Sequence, residues 1–273
     1  MEMSRLVVLR GILEELYQSF NRREYVHPDP LEFLYAYDAP EDREIVAFVA
    51  ASLAYGRVQT ILDHVRAVLA PMGASPFRFL LRHTLDELMA LYRGFRHRFA
   101  SDEDLVYVLM AIRGMIQAEG SLYAGFLRTY SPDDPTLVPS QIRFCKELCR
   151  HAGRDLGHMV PTPERCSACK RLNLFFRWMV RQDAVDPGGW SQIRCDQLII
   201  PLDTHMDRWG HFFGFTCRRA SDLKAALEIT AGYRHLVPDD PVRYDFVLTR
   251  TGIRNDIPRS AQQAIEELCH ADL

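Results

Sequence analysis

Cys166-Ser167-Ala168-Cys169-Lys170-Arg171-Leu172-Asn173-Leu174-Phe175-Phe176-Arg177-Trp178-Met179-Val180-Arg181 reads as a loop that turns into a helix at Lys170. Leu172, Phe175, Met179 and Val180 recur at three-and-four spacing and share one face. Further on, Ile200-Pro201-Leu202-Asp203-Thr204-His205 opens the next strong helix, with Asp203 at its head. Leu198-Ile199-Ile200 is the one apolar triplet with strand character, and it is too short to read as a strand.

Helical periodicity extends outward from these two segments. Leu6, Leu9, Ile12, Leu13, Leu16, Tyr17 and Phe20 form a buried stripe near the N-terminus. The spacing predicts helices over 41–55 and 58–69, separated at Gly56, and from Ser101 through Ile116. Ser101 with an acid three residues on fits a capping-box start. Further helices are predicted from Ser121 to 130 and over 140–151, 170–181, 203–213, 221–233, 241–251 and 260–270. The stretches 132–139 and 153–166 are loops. No repeat, low-complexity tract or flexible linker divides the chain, so the expectation is one all-α globular unit over residues 1–273.

The chain has 273 residues, 48% of them apolar and 25% charged, with a net charge of −3. These values fit an ordinary folded protein and give no global basic field for non-specific nucleic-acid binding. A local basic surface stands out between Arg165 and Arg181, where Arg165, Lys170, Arg171, Arg177 and Arg181 meet only Glu164. The N-terminus lacks the pattern of a signal peptide, and no window approaches a membrane span. Seven cysteines, an odd number, read as reduced thiols, so the expectation is a cytoplasmic protein.

The Gly-Lys-Ser/Thr phosphate loop, the Gly-x-Gly-x-x-Gly turn, the His-Glu-x-x-His zinc helix and the Gly-x-Ser-x-Gly elbow are all missing. Cys145, Cys149, Cys166 and Cys169 have thiolate-pair spacing, but the first two fall inside a helical run with apolar neighbours. Asp203, His205, Asp207 and His211 form a second cluster, better read as capping and surface pairing than as ligands. The expectation is therefore no metal and no cofactor.

Lys170 and Asp203 remain. A lysine amine is nucleophilic only when neutral, and at the reference pKa of about 10.4 roughly one in a thousand is neutral near pH 7. Two helix starts, each partly positive, favour the neutral amine, and a nearby carboxylate can take the proton during attack. The spacing supports Schiff-base chemistry beside two plainer readings, Asp203 as an N-cap and Lys170 as a solvated cation.

Pro201-Leu202-Asp203-Thr204-His205-Met206-Asp207-Arg208 resembles the Val-Asp-Thr-His-x-x-Arg segment of the helix-hairpin-helix DNA glycosylases, the superfamily of endonuclease III. Lys170 stands 33 residues before Asp203, a gap similar to that of the archaeal 8-oxoguanine glycosylases. Residues 169–181, with Asp-Pro-Val-Arg-Tyr-Asp-Phe at 240–246, look like a bacterial domain family of unknown function allied to these enzymes. The Leu-Pro-Gly-Val-Gly hairpin and the four-cysteine tail of endonuclease III are absent.

The resemblance implies two helical lobes with a cleft between them. One lobe is formed by about 40–160, the other by the N-terminal helix plus about 165–273. It implies a monomeric base-excision glycosylase with lyase activity on damaged duplex DNA, with an oxidised purine as one candidate lesion. Lys170 is then the nucleophile and Asp203 its carboxylate. Tyr55, Arg57, Arg165, Arg171, His205, Tyr244 and Phe246 become candidate contacts to DNA or to the flipped base, while Trp178 belongs to the core. The alternative is a non-catalytic nucleic-acid-binding or scaffold protein that keeps the fold.

Overall fold

The computed structural model describes residues 3–253. Among them the architecture is helical, with one two-stranded hairpin. Helix α1 (Met3–Phe20) buries Leu9, Leu13, Leu16 and Tyr17. Helix α2 (Pro40–Ser52) starts on a proline, whose missing N–H costs nothing in a first turn. Nearly all of α2 is buried, and it ends before Tyr55 and Gly56. Three further helices follow, α3 (Val58–Leu69), α4 (Pro76–Arg82) and α5 (Leu85–Leu91). Strands β1 (Arg96–His97) and β2 (Ala100–Ser101) then pair antiparallel, Arg96 opposite Ser101 and His97 opposite Ala100.

Helix α6 (Asp102–Glu119) opens on Ser101 and Asp104, which form the expected reciprocal capping box, and closes on Gly120 in the left-handed region. It packs along α8 (Val138–Ala152), with the short α7 (Leu122–Leu127) between them in sequence. The N-terminus of α7 rests on buried Glu44 of α2. That carboxylate accepts the N–H groups of Leu122 (2.6 Å) and Tyr123 (3.0 Å) and the indole N–H of Trp190 (3.0 Å). Helix α9 (Lys170–Val180) packs on α2. Helix α10 (Thr204–Phe212) packs between α11 (Leu223–Leu236) and α12 (Asp245–Ile253), and α1 lies against both of these.

The buried apolar side chains form one contiguous cluster from Leu9 to Leu248, with Phe126, Phe144, Phe175, Phe176 and Trp190 at its centre. Trp178 is in that core. Among the described residues, no helix is long and apolar enough to cross a membrane.

Several boundaries differ from the periodicity. Helix α7 stops at Leu127, three residues early. The last described helix starts at Asp245 rather than 241. Helices α4 and α5 and the hairpin have no counterpart in the sequence reading, because seven-residue helices and two-residue strands are too short to display a period. Residues 198–200 are extended and buried without a ladder partner, and the Ile200 N–H donates instead to Thr230 Oγ1 at 3.1 Å. The helix expected over 260–270 lies outside the described residues.

Candidate active site

A cleft of about 730 Å³ opens where four parts of the chain converge. These are the turn after α2, the loop leading into α9, the head of α10 and the first turns of α12. Lys170 and Asp203 both line it.

The approach to Lys170 is bent by two non-glycine residues in the left-handed region, Cys166 (φ 58°) and Cys169 (φ 49°). Each costs about 1 kcal/mol and needs surrounding structure to hold it. Leu223 N–H donates to Cys166 O at 3.1 Å, tying the loop to the start of α11 and bringing Ser221 and Asp222 to the cleft. Ser167 Oγ accepts the Cys169 N–H at 3.2 Å, and the Cys169 thiol donates to Pro161 O at 3.3 Å. Cys169 occupies the N-cap of α9 without a capping side-chain bond, so the first N–H groups of the helix start uncapped. Lys170, Leu174 and Arg177 follow at spacings of four and three, and all three line the cleft. Among the described residues Lys170 has no hydrogen-bond partner and no carboxylate within 4.0 Å, which puts Asp203 beyond direct contact.

Asp203 is the N-cap of α10. Its Oδ1 accepts the N–H groups of His205 and Met206, both at 2.9 Å. This is ordinary capping geometry, and it fixes the direction of the carboxylate. His205, in the first turn of α10, lines the cleft as well.

Arg177 and Asp245 in the cleft lining belong to a buried charged network. Arg177 meets Asp186 (3.0 Å) and Asp245. Arg181 meets Asp183 (2.9 Å), Asp186 and Asp240 (3.0 Å). Two guanidiniums thus face four carboxylates. Burial pushes the Asp245 carboxyl up to about 6 against the pull of Arg177, with Asp203 raising it further. Loss of water around the carboxylate is the main reason it holds its proton more tightly, and the neighbouring carboxylates add to it. Arg250, paired with Asp29, also lines the cleft, with its guanidinium 5.2 Å from the centre of the Phe246 ring.

The other expected contacts divide. Tyr55, Arg165, Arg171 and Phe246 line the cleft with Lys170, Asp203 and His205. Arg171 is already engaged: it donates to Ser52 O (2.6 Å) and His158 O and stacks on Tyr55 at 4.6 Å. Arg165 is exposed and pairs with Asp155 at 2.5 Å. Phe246 is only 2% exposed. Tyr244 and Arg57 stand outside the lining. Tyr244 is buried and donates its hydroxyl to Glu14 at 3.0 Å, away from the cleft lining. Arg57 is the exposed N-cap of α3 and does not line the cleft. The resemblance suggested both as contacts, but a side chain's direction is set by what packs beside it.

Asp29, Arg177, Asp245 and Arg250 were missed. Arg177 was legible as the residue seven after Lys170, on the same helix face. Asp245 sits inside the quoted run at 240–246. Asp29 lies far away in sequence and gave no signal. Among the described residues, no three His, Cys, Asp or Glu side chains are grouped to hold a metal ion.

The model of a family of proteins of unknown function, DUF2400, matches residues 29–254. The chain belongs to that family. The matched span takes in every residue lining the cleft except Pro28. No curated protein and no solved structure matches the chain.

Proposed function

We propose that this cleft receives a flipped nucleotide of damaged duplex DNA and that Lys170 excises its base through a Schiff base. The observation that carries the reading is the placement of Lys170, without a partner, and Asp203, at the heads of α9 and α10, on one cleft. The volume falls in the range of small-molecule sites and suits one nucleotide.

The neutral Lys170 amine attacks C1′ while the glycosidic bond breaks and the base departs with the bonding electrons, taking its proton from solvent water. Asp203 stabilises the positive charge developing on the sugar and accepts a proton from the lysine nitrogen. The C1′–O4′ bond then breaks, O4′ takes that proton from Asp203, and an iminium is left between Nζ and C1′. Loss of a proton from C2′ then expels the 3′ phosphate by β-elimination. Extrusion of the nucleotide costs a few kcal/mol, least for a damaged or mispaired base.

The same reading takes α8, the turn 153–169 and α9 as the counterpart of the glycosylase hairpin. It takes the cleft as the space between two helical lobes, one about 40–160 and the other the N-terminal helix plus about 165–273. Borohydride trapping tests the chemistry. The wild type should become covalently linked to abasic-site DNA, and Lys170→Ala should not. Absence of any adduct on abasic or lesion-bearing duplexes overturns it.

A second reading keeps the fold and the partner without the chemistry. It is favoured by the separation of Lys170 from Asp203 beyond 4.0 Å and by the missing Gly-x-Gly turn. Duplex binding without trapping would select it.

A further inference from the structure

The hairpin β1–β2 presents Phe99 at its tip, 76% exposed, the most exposed large apolar side chain among the described residues. Phe99 belongs to a two-residue connection with Arg98, which adopts φ 54° although no glycine or asparagine eases the turn. The tip is held from below. His97 is fully buried; its Nε2–H donates to Tyr55 O at 3.0 Å, its Nδ1 accepts from His64 Nδ1–H at 2.9 Å, and its carbonyl accepts the Tyr55 hydroxyl at 2.9 Å. The Arg98 stem lies over Gly56, where a Cβ would come within 2.9 Å of it. Gly56 (φ 104°) and Tyr55 also line the cleft, so the hairpin stands on its rim.

The Arg98 guanidinium lies 5.5 Å from the centre of the Phe99 ring, and Arg93 and Arg96, which lead into the tip, and Arg57, next to Gly56, are exposed as well. None has a carboxylate within 4.0 Å among the described residues, whereas Arg154 and Arg165 are matched. Asp102, the nearby acid, is engaged by the N–H of Gly94 at 2.7 Å. A fixed, exposed aromatic among unpaired guanidiniums has the chemistry of a base-stacking platform beside phosphate-binding groups.

We propose that the β1–β2 tip is a docking surface for single-stranded nucleic acid, with Phe99 stacking on an unpaired base and Arg93, Arg96 and Arg98 meeting the flanking phosphates. Its place on the rim ties it to the nucleotide reading of the cleft, but its test needs no chemistry.

The experiment is fluorescence anisotropy on a labelled single strand of about 20 nucleotides with a central 2-aminopurine, followed across salt concentrations. Phe99→Ala should weaken binding by about tenfold or more and abolish the 2-aminopurine quenching, while Phe99→Trp should retain both. Arg93→Ala with Arg96→Ala should flatten the salt slope by about one per arginine. Circular dichroism melting of Phe99→Ala should match the wild type, because the ring is exposed. Wild-type protein that fails to trap yet binds the strand through Phe99 rejects the lysine chemistry alone. Phe99→Ala binding within twofold of the wild type, or losing fully paired duplex to the same degree as single strand, would overturn the surface.

Discussion

Tyr55 and His97 hold each other by two main-chain bonds: the Tyr55 hydroxyl donates to His97 O at 2.9 Å, and His97 Nε2–H donates to Tyr55 O at 3.0 Å. The pair joins the turn after α2 to the hairpin and gives Arg171 its stacking surface. It also fixes the imidazole tautomer. Nε2 carries the proton, so Nδ1 accepts from His64.

A proton on His97 Nδ1 would face the His64 N–H and a buried surround, and burial first, then His64 and Arg171, lowers its pKa. On acidification the unfolded chain therefore takes up its proton first, and stability falls as pH drops below the ordinary histidine value of about 6.5. An NMR titration should place the His97 midpoint below the ordinary histidine value of about 6.5. A midpoint at or above 6.5 contradicts this assignment.

Capping and catalysis at Asp203 separate by substitution. Asparagine is as good an N-cap as aspartate, so Asp203→Asn should melt within about 1 °C of the wild type. Asp203→Ala should lose about 1 kcal/mol, or roughly 2–4 °C. Both should lose borohydride trapping; an Asp203→Asn protein that traps at the wild-type rate removes the carboxylate from the mechanism.

The buried network makes Arg177 and Asp245 unequal. Arg177→Met strands Asp245 and leaves Asp186 with Arg181 alone, and should cost about 3–5 kcal/mol in denaturant unfolding. Asp245→Asn should cost far less, since the acid is already pushed up to about 6. Its stabilising contribution is full below its unfolded value of about 4 and is lost as pH rises through 6. The deficit of Asp245→Asn relative to the wild type should therefore shrink from pH 5 to pH 8. A deficit that grows with pH would show that Asp245 is fully ionised in the fold.

Gly210 allows α10, which carries Asp203, to approach α11. A Cβ there would sit 2.4 Å from Ile229 Cδ1 and 2.5 Å from its Cγ1. Isoleucine in a helix is confined at χ1, so the contact is not relieved cheaply. Gly210→Ala should destabilise by about 1–3 kcal/mol despite its better helix propensity. Ile229→Val in the same chain should recover part of that loss, and strict additivity of the two melts would refute the contact.

Local chemistry written along the chain fixed most helices, the Ser101 and Ser121 caps and the position of Lys170 and Asp203 at helix heads, because periodicity and capping act within a few residues. That these heads share one cleft is a matter of tertiary packing. So are the enclosure of Arg177 among Asp186 and Asp245, the pairing of Arg250 with Asp29 across the chain, and the engagement of Arg171 by Ser52 and His158. Each depends on burial and on partners remote in sequence, and a residue's neighbours along the chain carry no record of either. Phe99 shows the same divide: its identity is written in the sequence, but only the anchored hairpin leaves it standing in solvent.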